Sequence, residues 1–504
     1  MARVPIKSRI TTVSTQLPLV PLPNLNMTLS ILPVVVIMLW LATFDSVYGQ
    51  TYFRMPYNTD KWPAITKRLS ELDYQIKTGR SPTYEVNYAI KMFDPATADY
   101  NYDSLYRVES DPEWKRRMEV VLPKMAAIAL RLPQLLPNPG VRVLRRGENG
   151  VIRLNQVQVL SLLANSFFCT FPAKEEGFPR NKFCTLFEGA GGSEASKAEK
   201  LKAFLHYFER MLERFPPGSK GTGTLITYER RSLSPGEVPN WTNSGKTLTS
   251  VWVEEYGHIE DEKGFQHLQA DFANKMLGGG ILGNGATQEE IRFAVNPELL
   301  ITSLLFEQLD NNEAAIVTGV EQFSTTSGYA SNLRFTGDFR DTTPLDAEGR
   351  RDTSVFAFDA LKFEDGKEYE QFWEWQVDRE LKKAYAAFSK KGRTEDWKPI
   401  ATGNWGSGVF NGDQELKFLI QWMAASQSER NMKYFTVGRP GLKDAIVQLL
   451  NRFKQAAPPV TVGRLYQAIA LYRRKVVDKH NQNNISIFKF IQNDSEAKAL
   501  LRLP

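Results

Sequence analysis

The sequence predicts a layered α/β fold preceded by a helical region, and three observations carry that expectation. From about Trp62 to Glu213 the apolar residues recur every three or four positions, as in "DPEWKRRMEVVLPKMAAIALRLPQLL", "LNQVQVLSLLANSFFCTF" and "EASKAEKLKAFLHYFERMLERF". That is the period of helices burying one stripe each. After "PPGSKGTG" (Pro216 to Gly223), short β-rich runs alternate with helical ones, the pattern of a sheet covered by helices. The composition, 42% hydrophobic and 12% aromatic against 24% charged, is that of a globular chain.

Three segments follow in order. Residues 1–50 form a hydrophobic leader: no charge occurs from Ile10 to Phe44, and "MTLSILPVVVIMLWLATF" from Met27 runs for 18 residues behind Arg3, Lys7 and Arg9. A signal peptide, a membrane anchor, a disordered extension and a stretch upstream of the true start all fit it. Residues 51–222 are expected to form an all-α accessory domain. Residues 223–504 carry the sheet: "TLTSVWVEEY", "FQHLQADFA", "EAAIVTGV", "TSVFAFDAL" and "KYFTVG" read as strands, with "PELLITSLLFEQL" and "DQELKFLIQWMAASQSER" as helices between them.

Several function classes are disfavoured. The net charge of +6 suits an anionic ligand, but the basic clusters at Lys115 to Arg117 and Arg473 to Lys475 read as solvated helix faces rather than a nucleic-acid footprint. Two cysteines, Cys169 and Cys184, build no disulfide framework, and four scattered histidines show no paired-ligand spacing, so no metal is expected. "SGKT" at Ser244 to Thr247 has Asn240 where a phosphate loop requires its first glycine, and "WGSGV" lacks the first glycine of a serine-hydrolase elbow.

"DFANKMLGGGILGNGATQEEIRF" (Asp271 to Phe293) is the stretch with chemistry in it. A strand would deliver Asp271 and Asn274 to its end, and Gly278, Gly279 and Gly280 would let backbone approach a ligand without Cβ atoms in the way. The helix starting at "TQEE" offers unpaired N–H groups to phosphate oxygens. A plainer reading stands beside this one. Thr287 and Glu290 have the spacing of a capping box, in which Glu290 does no more than bond the Thr287 amide.

"GGG" followed, after seven residues, by "QEE" at Gln288 to Glu290 resembles the defining motif of poly(ADP-ribose) glycohydrolases. "LPKMAAIALRLPQL", "SLLANSFFCTFP", "DFAN", "EEIRFAVNPELL", "GYA", "ATGNWGSGVFNGD" and "YFTVG" resemble the same family in the same order. The resemblance implies a macrodomain-like mixed β-sheet flanked by helices. It implies Asp271, Glu289 and Glu290 as catalytic residues, with Asp271 and Asn274 supporting the site and binding the ribose hydroxyls and Gln288 beside them. It places Ile259 and Glu260 at the adenine end, where Tyr329 stacks. Gly278, Gly279 and Gly280 and the loop of Asn404, Trp405, Gly406, Ser407, Gly408, Val409 and Phe410 would hold the diphosphate and distal ribose. Poly(ADP-ribose) and poly(ADP-ribosyl)ated proteins are the implied partners, acted on by a monomer without cofactor, metal or obligate nucleic acid. Nucleus and cytoplasm are the implied locations, and a membrane enters only through a retained leader. Thr326 and Val437 depart from aromatic residues of vertebrate relatives near the adenine.

Neighbouring residues at a helix start point about 100° apart, so Glu289 and Glu290 do not flank a glycosidic bond as the paired acids of ordinary glycosidases do. The expected division of labour has Glu290 protonating the leaving ribose oxygen and then activating water, while Glu289 holds the ribose. The competing readings are an ADP-ribose reader that binds without cleaving, and a dinucleotide-dependent oxidoreductase, whose GxGxxG spacing "GGGILGNG" does not have.

Overall fold

In the computed structural model, residues 52–97, 99–173, 176–189, 192, 194–261, 267–390, 397–479 and 485–504 are described. The expected leader over residues 1–50 lies outside them. Ten strands occur among the described residues: β1 (Gly150–Asn155), β2 (Leu225–Ser232), β3 (Val251–Glu254), β4 (Leu268–Asp271), β5 (Glu313–Thr318), β6 (Ser324–Ser327), β7 (Arg334–Asp338), β8 (Ser354–Ala357), β9 (Ile400–Gly403) and β10 (Met432–Phe435). Eight build one mixed sheet in the order β1-β2-β5-β8-β4-β9-β10-β3, while β6 and β7 form a separate hairpin. The first four of that order pair antiparallel. From β8 through β4, β9 and β10 to β3 the pairing is parallel, so these five strands present their C-terminal ends on one side.

The sheet lies between two helical layers because its central strands are apolar on both faces. In β5, Ala315 and Val317 join the core shared with the N-terminal helices, including Trp114, Met118, Phe167, Phe204 and Phe208. Ala314 and Ile316 point the other way, into a core with Leu381, Phe418, Leu419 and Leu465. This period-two division of a continuous apolar run is what a strand covered on both faces requires. Two arginines are buried in β2. Arg230 donates to the carbonyls of Leu144, Glu307 and Gln308 at 3.1, 2.6 and 2.8 Å and pairs with Glu313, and so satisfies a charge that burial alone would make costly.

Two expectations are corrected. The region read as all-helical contributes β1, whose Ile152 and Leu154 are buried while Val151 and Arg153 are exposed; it runs directly into the helix Gln156–Phe167 through an Asn155 capping box. Six residues flush against a helix leave little separate signal. "PELLITSLLFEQL" is not one helix but a 3-10 turn, Pro297–Ile301, and a single helical turn, Thr302–Leu305, ended by extended backbone at Phe306. The described residues form one compact unit. Among them, no helix is long and apolar enough to cross a membrane.

Candidate active site

A cavity of about 980 Å³ opens where β3, β4, β8, β9 and β10 end, and the segments that follow each of them line it. Ligand clefts of open α/β sheets sit beyond strand ends for this reason: loops there diverge while the sheet holds their roots fixed. The volume lies at the upper end of the range of small-molecule and cofactor clefts.

The loop after β4 is organised by the three side chains that begin the helix Gln288–Val295. Gln288 accepts the Phe272 amide at 2.9 Å and donates to the Ala270 carbonyl and to Glu260 Oε1, both at 3.2 Å. Glu289 accepts the amides of Asn274 and Gly278 at 2.9 and 2.7 Å. Glu290 accepts the Gly280 amide at 2.8 Å, the Thr287 amide at 2.9 Å and the Thr287 hydroxyl at 2.6 Å. The capping box is therefore real, and the same carboxylate also grips the glycine loop. Gly279 lies between the two acids with φ +49°; a Cβ there would come within 2.6 Å of Glu289 Oε2 and of Glu290 Oε1. Only glycine combines that left-handed backbone with so close an approach.

Of the predicted residues, the cavity gathers Ile259, Glu260, Asn274, Gly279, Gly280, Gln288, Glu289, Glu290, Tyr329 and all seven from Asn404 to Phe410. Gly278 and Asp271 stand behind it. Gly278 is buried and supplies its amide to Glu289. Asp271 is fully buried, and neither of its carboxyl oxygens has a hydrogen-bond partner. Burial, with the charges of Glu290 and Glu260 against that of Arg292, pushes its carboxyl up to about 8. Glu289 is also driven well upward, by burial first and then by Asp271 and Glu290. Asp271 and Glu289, buried and facing one another's charge, do not readily ionise together.

The Asp271 shift has a measurable consequence. The unfolded chain loses this proton near the ordinary value of 3.8, whereas the folded chain keeps it to about 8. Over that interval the folded state binds more protons, so its stability falls as pH rises. Asp271→Asn, neutral throughout, is expected to flatten the slope, its Tm gaining on the parent's between pH 5 and pH 8. A pH-independent difference contradicts the assignment.

The loop after β9 is fixed from beneath. The buried Trp405 indole donates to the Phe358 carbonyl at 3.0 Å with the Lys417 ammonium 4.5 Å from its ring centre. Asn404 donates to the Thr436 carbonyl and accepts from the Tyr434 hydroxyl, both at 3.1 Å. Tyr329, 52% exposed, lines the cavity, as do both departures, Thr326 and Val437. Arg439, Gln322, Phe339 and Phe435 line it as well and were not singled out from the sequence. Only Arg439 had a signal to find, a cation four residues beyond β10. Among the described residues no group of three or more His, Cys, Asp or Glu side chains is placed to hold a metal ion.

Comparison with known proteins agrees with this fold. A family model described as "Poly (ADP-ribose) glycohydrolase (PARG), Macro domain fold" matches residues 238–444, and its companion, described as the helical domain, matches residues 110–230. Poly(ADP-ribose) glycohydrolase 1 of Arabidopsis thaliana is 30% identical over 467 residues, 76% of this chain and 82% of the relative. Probable poly(ADP-ribose) glycohydrolase 2 of the same plant is 30% identical over 418 residues, 70% of this chain and 77% of the relative. Poly(ADP-ribose) glycohydrolase 1 of Caenorhabditis elegans is 30% identical over 360 residues, 69% of this chain and 43% of the relative. With both halves of the fold matched and two relatives aligned over most of their length, this chain belongs to the poly(ADP-ribose) glycohydrolase family.

Proposed function

We propose that the chain hydrolyses the ribose-ribose O-glycosidic bonds of poly(ADP-ribose) and releases ADP-ribose, with Glu290 as general acid and base. The observation that carries this reading is the pair of adjacent carboxyl groups tied by backbone amides into the glycine loop of a cavity of about 980 Å³. Glu290 gives a proton to the leaving ribose oxygen as the bond to the anomeric carbon breaks, then takes one from the water that attacks that carbon. To reach the ribose it exchanges one of its three hydrogen bonds for one to the substrate. Glu289, with two amides on its oxygens, fixes the loop and the ribose beside it. Asp271, behind the sheet end, supports both acids rather than touching the sugar.

Polymer carried on modified proteins is the substrate in this account, and a monomer acts on it without nucleic acid. Tyr329 covers the adenine. Its replacement by alanine is expected to weaken ADP-ribose binding about tenfold, the effect of losing one base stack, with kcat changed less than about threefold because the ring is assigned to the adenine and not to the bond broken. Titration calorimetry and initial rates read the two separately. The function itself is tested by incubating purified polymer with the chain in the presence of a chelator. Free ADP-ribose is the expected product, whereas polymer bound tightly and left uncut would make the protein a reader.

A further inference from the structure

The glycine turn has an outer side, and the N-terminal helical region holds it. The Thr185 hydroxyl donates to the Leu282 carbonyl at 2.6 Å. Lys200, on the helix Glu194–Arg214, donates its ammonium to the carbonyls of Gly283 and Gly285 at 2.7 and 2.6 Å. Lys200 is fully buried, and neither of those acceptors carries a charge to offset the desolvation of an ammonium. Burial pushes it down to about 7, with Lys197 adding to the shift and the Glu290 charge opposing it. Gly285 is the contact between the two. A Cβ on it would lie 2.6 Å from Glu290 Oε1, so its backbone packs directly on that carboxylate.

We propose that Lys200 is a positioning residue for Glu290, acting across the Gly283–Gly285 backbone to fix the turn on which the carboxylate rests. The helical region is then part of the catalytic apparatus rather than an accessory to it. Lys197 supplies the comparison: it is on the same helix, is also buried, and donates to two carbonyls, those of Thr185 and Glu188, reaching the glycine turn only through Thr185 and never bonding its backbone directly.

The kinetic half of the proposal rests on the glycohydrolase reading; the positional half does not. The test compares Lys200→Met with Lys197→Met in the full chain by amide hydrogen exchange over residues 278–286 and by kcat and KM on purified polymer. Lys200→Met is expected to speed exchange at the turn about tenfold or more and to lower kcat by roughly thirtyfold to a hundredfold, with KM within about threefold. Lys197→Met is expected to change each by less than about threefold, whatever it does to Tm. Thr185→Val, which keeps the side-chain shape, is expected to lower kcat about three- to tenfold and stands in if Lys200→Met does not fold. Unchanged exchange at the turn in Lys200→Met, or equal losses in both lysine variants, overturns the proposal. A parent that releases no ADP-ribose removes the hydrolase reading alone, because exchange still decides whether Lys200 holds the turn.

Discussion

Glu290→Gln is expected to lower kcat for ADP-ribose release by about three to four orders of magnitude, at the upper end of what removing a general acid and base costs, while the variant still folds and binds polymer. The geometry makes this a sharp test, because Glu290 also has structural work. Its carboxylate accepts from the amides of Gly280 and Thr287 and from the Thr287 hydroxyl. A glutamine retains one of its acceptor oxygens and turns an amide donor toward the other group, so some stability is lost, about 1–2 kcal/mol by the cost of an unsatisfied buried group. If that were the whole role of Glu290, polymer affinity and kcat would fall together with Tm. The account predicts a split: a small drop in Tm, polymer affinity within about tenfold, and turnover nearly gone. Thermal unfolding, a polymer-binding assay and initial rates on the same preparation supply all three numbers. Turnover within tenfold of the parent would leave Glu290 as a helix cap.

Gly279→Ala should be nearly as damaging, for a reason that is steric. The backbone at Gly279 has φ +49°, and the new methyl group would sit 2.6 Å from an oxygen of each glutamate. Neither can step aside, because Glu289 is pinned by the amides of Asn274 and Gly278 and Glu290 by those of Gly280 and Thr287. One carboxylate must therefore leave its place, and kcat/KM is expected to fall about a hundredfold or more, the usual result of displacing a catalytic group by an ångström. Gly283→Ala is the contrast within the same turn: its Cβ would lie 3.6 Å from the Gly280 carbonyl, an ordinary contact. We expect it to stay within about fivefold of the parent. Equal losses from both substitutions would mean that the turn tolerates no side chain anywhere and that the two-carboxylate clamp is not the cause.

The part of this site that was legible in the sequence is the part made by short-range physics. The glycines, the capping-box spacing of Thr287 and Glu290 and the strand before them sit within about twenty residues of each other, and each has a local rule behind it. Glu289 was expected to hold the ribose hydroxyls. That its two oxygens are taken up by amides 11 and 15 residues earlier in the chain follows from the fold of the loop, which no spacing rule gives. Asp271 was placed correctly at the end of a strand, but a strand residue points to either face, and here the carboxyl faces the interior. β1 was hidden because a six-residue edge strand capped straight into a helix shows less periodicity than the helix beside it. Lys200 was invisible for the plainest reason: it reaches the glycine turn from 83 and 85 residues away, and on its own helix it reads as one more lysine on an amphipathic face.

The most direct test of the account is a crystal structure of the Glu290→Gln chain with ADP-ribose bound. The prediction is a ligand in the cavity at the strand ends, adenine against Tyr329 and diphosphate over the Gly279–Gly280 backbone and the Asn404–Phe410 loop. The residue 290 carboxamide should then lie within hydrogen-bonding reach, about 2.6–3.2 Å, of the distal ribose. A ligand seated elsewhere, or one whose distal ribose lies far from residue 290 while the diphosphate occupies the loop, would contradict the assignment of Glu290 as the acid that cuts the sugar linkage.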